Sequence, residues 1–267
     1  MDGYPAERLQ RMRLLNPLCM SEWRCWARLA WFDIVSRYRR TALGPLWIVL
    51  VTGLTIAAIG FVYSTLFRLP VSDFMPFLAI GYITWIWIST TFLEASTAFA
   101  SYRFVLLNHV IRPSSIVLRV VIRNLIVLIH NSLAIVILFA VFGRPLSPGM
   151  LMVIPGMLVV GAVVFGLSTL IALVCTRFRD LVQLLNAVMS LAFLITPVIW
   201  MPEILGDRAV IARANPLTHL LDLIRLPLLG QQANGTSWLV AAALIGSSAV
   251  CASALLRHFR SRIVFWL

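Results

Sequence analysis

Four histidines (His109, His130, His219 and His258), four cysteines (Cys19, Cys25, Cys175 and Cys251) and ten acidic residues are the groups with which this 267-residue chain could do covalent or metal chemistry. They do not assemble. The histidines fall in different regions, no H-E-x-x-H or G-x-S-x-G run occurs, and no cysteine sits at a useful spacing from a histidine. Cys19 and Cys25 are spaced unlike a metal-binding C-x-x-C, so the cysteines read as isolated small apolar residues. All 22 basic residues are arginine. Without lysine there is no Walker A loop and no Schiff-base amine. The expectation is a chain that is not an enzyme and holds no metal or cofactor of its own.

What is left are charged and aromatic groups inside apolar stretches. The chain is 61% apolar, 12% charged and carries a net charge of +12, with a mean hydropathy of +0.94. Soluble domains carry about 25% charged residues. Too few polar groups exist here to clothe a water-facing surface, so the chain reads as an integral membrane protein. The basic excess is interleaved with long apolar runs, which points to membrane topology and not to nucleic acid.

A membrane-crossing helix needs roughly 20 mostly apolar residues. Six stretches qualify, at about 44–67, 74–98, 116–142, 149–176, 181–200 and 237–256. They predict an all-α bundle of six transmembrane helices, with residues 1–43 and 257–267 outside it. With both termini placed inside, the inner segments hold fifteen arginines and the outer ones five; the arginine bias therefore predicts cytoplasmic termini. Eight arginines precede the first long apolar run, which does not fit a cleavable signal peptide. The third outer segment, about 201–236, is broken by Pro202, Pro216 and Pro227. It is expected to form short re-entrant or surface-lying helices.

These elements position the remaining candidates. From Glu22 to Tyr38 the residues Trp23, Trp26, Ala30, Ile34 and Tyr38 recur every three to four positions, predicting an amphipathic helix in the inner interface with tryptophans at headgroup depth. Glu94, near the inner end of the second span, lies level with Arg119 and Arg123 of the third. An inter-helix ion pair of Glu94 with either arginine is expected, as a structural clamp or as a conformational latch. The middles of the spans carry no acidic residue, which argues against proton coupling. Tyr82, Trp85 and Trp87 lie near the middle of the second span, Tyr82 and Trp85 on one face and Trp87 on another; they either line a path for sugar rings or pack helices together. The inner loop with Arg103, Asn108, His109 and Arg112 is suited to docking a cytoplasmic partner.

Three separated segments then carry a likeness. Arg37-Tyr38-Arg39-Arg40-Thr41-Ala42-Leu43-Gly44-Pro45-Leu46-Trp47 resembles the start of the first span in ABC-2-type exporter permeases that move polysaccharides. Thr196-Pro197-Val198-Ile199-Trp200, followed by Asn215-Pro216-Leu217 and Arg225-Leu226-Pro227-Leu228-Leu229-Gly230, resembles the outer region of the same family, and the closing Arg262 with Trp266-Leu267 also fits. Closest in character are the permeases for lipid-linked O-antigen polysaccharide of the bacterial inner membrane. The resemblance implies a homodimer with a channel between the copies, and two copies of a cytoplasmic ABC ATPase that binds the ATP and Mg. It implies that the loop around Asn108 to Pro113 is the coupling helix. Short gate helices around 201–231, with Trp200, Asn215, Pro216 and Arg225, would cap the outer mouth. Arg37, Arg39 and Arg40 would meet the lipid phosphate at the inner entrance, or simply anchor topology. Export of capsular polysaccharide, teichoic acid or a smaller lipid on the same fold is an alternative, as is a gradient-driven transporter.

Overall fold

The computed structural model describes residues 23–38, 41, 43–108, 112–259 and 263–266. Every regular element among them is helical: α1 (Trp23–Tyr38), α2 (Leu46–Phe67), α3 (Val71–Ser101), α4 (Arg103–Asn108), α5 (Pro113–Val141), α6 (Val153–Arg177), α7 (Leu181–Ile195), α8 (Val210–Ala214), α9 (Pro216–Leu228), α10 (Gly235–Phe259) and α11 (Ile263–Trp266). Two 3-10 segments, Pro148–Met152 and Pro202–Ala209, lead into α6 and α8.

Among the described residues five helices are long and apolar enough to cross a membrane: α2, α3, α5, the run Pro148–Arg177 that contains α6, and α10. The sixth expected stretch, 181–200, is shorter than anticipated. α7 stops at Ile195 after 15 residues, about 22 Å at ~1.5 Å per residue against a hydrocarbon core of ~30 Å. Pro197 is the cause: the residue before a proline is pushed out of helical backbone, and Thr196 is extended (φ −80°, ψ 137°). The chain from Thr196 to Trp200 then folds back onto the bundle, with Val198 buried.

α3 is the axis of the molecule. It runs for 31 residues, past both ends of the expected 74–98, and packs against α2, α5, α6, α7 and α9. Its buried residues run from Phe74 to Phe99. α2 and α10 lie outside and expose most of their apolar side chains, as lipid-facing helices do, and α7 has no buried residue. Two close approaches hold the layers together. A Cβ on Gly156 of α6 would strike the Leu223 carbonyl of α9, and one on Gly166 would strike the Ser248 hydroxyl of α10. Only glycine admits those backbones.

The expected N-terminal helix is present, with part of its apolar stripe set against protein. Trp26, Ala30 and Ile34 are buried because α1 packs along α5, so these residues of the apolar stripe meet protein. Trp31 and Phe32 form a second apolar face that stays exposed. Trp31 also stacks on His130, ring centroids 6.3 Å apart, while Asp33 reaches Arg119, about three turns away along α5. α1 is therefore tied to α5 at two separate points.

Candidate functional site

Charged side chains lie toward the two ends of α3 and leave its middle to apolar, aromatic and hydroxyl groups. At the end that the arginine bias predicts to be the inner one, Arg119 and Arg123 leave α5 on one face because they are four residues apart. They do not share Glu94. Arg119 makes a bidentate pair with Asp33 of α1, Nε donating to Oδ2 at 2.9 Å and Nη2 to Oδ1 at 2.6 Å. Arg123 takes Glu94 of α3, Nη2 to Oε2 at 2.6 Å, and stands 3.6 Å from Asp33. Asn124 extends the chain of contacts, donating to Glu94 at 2.5 Å and lying 3.3 Å from the Thr90 hydroxyl. The Arg119 guanidinium also sits 4.8 Å from the Tyr102 ring centre. The result is a half-buried, charge-balanced tie through α1, α5 and α3. It contains no nucleophile beside a base; its capability is mechanical, because pairs of this kind fix the register of helices that lipid would let slide.

In the middle of α3, Tyr82 and Trp85 face α7 together. Both rings lie against Phe193, with centroids 6.3 Å and 5.7 Å away. Trp87 turns the other way, toward Gly161 of α6, and is 2% exposed. The three aromatic residues therefore divide by neighbour, Tyr82 and Trp85 against α7 and Trp87 against α6, with both tryptophans buried.

At the opposite end, predicted to be the outer one, the separated motifs meet. Asn215 caps α9, its side chain accepting from the Leu217 N–H at 2.9 Å, and Pro216 occupies the first turn, where a missing N–H costs nothing. The other side of the Asn215 amide donates to the Thr196 hydroxyl at 2.8 Å. Arg225, also 2% exposed, donates from Nη1 to the Pro197 carbonyl and from Nη2 to Asp222, each at 2.6 Å, and its guanidinium lies 4.1 Å above the Phe77 ring. Trp200 donates from Nε1 to the Leu194 carbonyl at 3.0 Å. Gly81 brings α3 close enough that an added Cβ would touch the Val198 carbonyl at 3.4 Å. Pro76, lacking an N–H, cannot bond the Ser72 carbonyl one turn back. Arg144 fills the vacancy at 2.9 Å and pairs with Asp73 beside it.

Of the inner-loop candidates, Arg103 and Asn108 bound the short α4, which has no buried residue, and the Asn108 side chain donates to the Phe104 carbonyl. Arg112 stands at the N-cap position of α5 without a capping bond from its side chain; His109 lies outside the described residues. Arg37 falls within α1, whereas Arg39 and Arg40 lie outside the described residues. At the C-terminal end Trp266 lies beneath Arg177, 5.5 Å from guanidinium to ring centre. Sequence reasoning missed Asp33, Asn124 and Phe193. Asp33 was legible as an acid in an arginine-rich helix and Asn124 as an amide in an apolar span; nothing in the sequence marked Phe193 as the partner of Tyr82 and Trp85.

Asp73 and Glu94 stand 21 residues apart on one helix, roughly 30 Å at ~1.5 Å per residue. The two polar clusters are thus separated by about the thickness of a bilayer core. Against known proteins, residues 25–229 match the family model of the ABC-2 type transporter. The O-antigen export system permease protein RfbA of Myxococcus xanthus is 24% identical over 193 residues, 71% of this chain and 74% of that protein. The protein of the same name from Klebsiella pneumoniae is 24% identical over 192 residues, with the same shares covered. The family match takes in α2 to α9 and nearly all of α1, hence the inner tie, the aromatic pair and the outer cluster alike. This chain belongs to the ABC-2 type transporter family.

Proposed function

We propose that the chain is the membrane subunit of an ATP-driven exporter of lipid-linked polysaccharide of the O-antigen type. Two copies enclose the path, and two copies of a separate cytoplasmic ATPase drive it. As a member of its family it is a transport component and not itself a catalyst. The observation that carries the reading is the distribution of polar groups along α3. Its acids sit only at the ends, each paired with an arginine, and the stretch between offers aromatic faces and hydroxyls but no titratable carboxylate. A gradient-driven carrier needs ionisable groups near midplane; a subunit driven by a partner does not. The relatives named as O-antigen export permeases support the polymer as cargo.

A long polymer does not fit a closed alternating cavity, so a continuous path with stackable aromatic walls suits it. Tyr82, Trp85 and Phe193, beside the unburied α7, supply such a wall. The inner surface, with α4 and the arginines around it, is the side offered to the ATPase, and both termini lie on that side by the arginine bias. Arg37, Arg39 and Arg40 are placed by sequence to meet the lipid phosphate. The test is co-purification with the candidate ATPase and assay of ATP hydrolysis with lipid-linked glycan in nanodiscs. Glycan-stimulated, ATP-dependent movement supports the reading. Glycan movement by the permease alone, with no ATPase present, overturns it.

A further inference from the structure

Beside the outer cluster lies a cavity of about 950 Å³ that the aromatic path and the inner tie do not use. Its walls come from the start of α3, the 201–213 segment, α9 and the loop that precedes α10. We propose that this cavity is a retention site for a short neutral stretch of glycan that has already crossed the membrane. The inference rests on the export reading above and adds to it a place where the cargo is held.

Charge decides against the obvious rival. Arg144 and Arg225 enter the wall already neutralised by Asp73 and Asp222, and Arg213 and Glu203 add one charge of each sign. Among the described residues the wall is balanced. A phosphate or lipid headgroup site would present cations in excess, since charge-assisted contacts supply its affinity. What this wall has in excess is neutral amide: Gln232 and Asn234 face the cavity from the loop. A carboxamide offers donor and acceptor side by side, which matches the alternating roles of sugar hydroxyls. The volume is near the top of the ~300–1,000 Å³ range of small-molecule sites, room for more than one ring.

The groups of the wall that a ligand can reach are the exposed amides of Gln232 and Asn234; the Thr218 hydroxyl and Arg225 Nε have no hydrogen-bond partner among the described residues but are sealed behind the wall. The site also lies against Pro197 and Asp222 through Arg225, so occupancy bears directly on the segment that closes α7. A weak site here opposes back-sliding of an emerging chain; a tight one would stall it.

The test uses the full chain with its ATPase in nanodiscs. The probe is delipidated surface polysaccharide released by mild acid from the strain that carries the gene, with binding read by saturation-transfer NMR and titration. Gln232 and Asn234 are exposed and make no side-chain hydrogen bond among the described residues, so Q232A/N234A and the cavity-filling T236W leave the fold intact, checked by an unchanged melting temperature. Binding at least fivefold weaker in Q232A/N234A and lost in T236W is the expected result. Polysaccharide that fails to bind, that binds both variants as it binds the unaltered protein, or that is displaced by inorganic phosphate or glycerol phosphate overturns the site. ATP-dependent export in the same nanodiscs is scored separately: intact export with unaltered binding in the variants removes the retention site alone, whereas no export by the unaltered complex removes the export reading.

Discussion

Arg225 shows how much one side chain carries when it is buried with its charge. It closes contacts to the Pro197 carbonyl, Asp222 and the Phe77 ring together. Removing one partner of a buried ion pair leaves the other uncompensated, at about 3–5 kcal/mol. R225A is therefore expected to destabilise the protein by about 3 kcal/mol, read as a lower melting temperature in detergent. R225K is expected to recover little, because an ammonium cannot reproduce the planar fork. The inner arginines are more exposed and weigh less. R119A should cost about 1–2 kcal/mol, discounted from the buried value for solvent screening, and should release α1. Faster proteolysis between residues 20 and 45, with the rest of the bundle resistant, is the measurement. The swap D33R/R119D should restore part of that resistance, and no restoration would show that the pair is not what holds α1.

Elements here are placed by what their ends and close approaches permit. α7 is short because Pro197 ends it, and α9 starts where it does because Asn215 caps it and Pro216 opens it. N215A is expected to lose about 1 kcal/mol for the cap and to leave the Thr196 hydroxyl without its donor. N215D keeps the cap but not the amide, so its melting temperature should fall between those of N215A and the unaltered protein. Where α6 crosses α9, Gly156 sets the distance. G156V forces the Leu223 backbone away and should cost about 1–3 kcal/mol as overpacking, whereas G53V in α2, with open space around its Cβ position, should be nearly neutral. A neutral G156V would mean that α9 adjusts freely, against the tight contact seen.

At the scale of the molecule, the helices sort into a central α3, supporting α5 and α6, and peripheral α2, α7 and α10 with apolar faces turned outward. Polar ties stand a membrane thickness apart, and between them run Tyr82, Trp85 and Phe193. If that pair of rings beside α7 lines the glycan path, W85A should leave assembly with the ATPase intact and slow export by an order of magnitude. W85A and W87A should both lower stability by about 3 kcal/mol, as loss of a buried aromatic does, but only W85A should slow export beyond what its lost stability explains. Export rate against melting temperature for the two variants separates lining from packing. Equal effects on both quantities would count against the division.

Composition and period determined on their own that the chain is helical and lives in a membrane: 61% apolar residues cannot be hidden inside a water-soluble fold of this size. They also placed five of the long helices, since a bilayer demands unbroken apolar length and that is a local property. The motif segments, and with them the family likeness, were equally visible in one dimension. Partner choice was not. That Arg119 turns to Asp33 and Arg123 to Glu94, that Trp85 meets Phe193 while Trp87 is buried on α6, and that residues 197, 215 and 225 close one cluster are matters of which faces are brought together. Every arginine on a helix face reaches several acids by spacing alone; only the packing of α1 against α5, with the Pro197 turn folded over α3, selects among them.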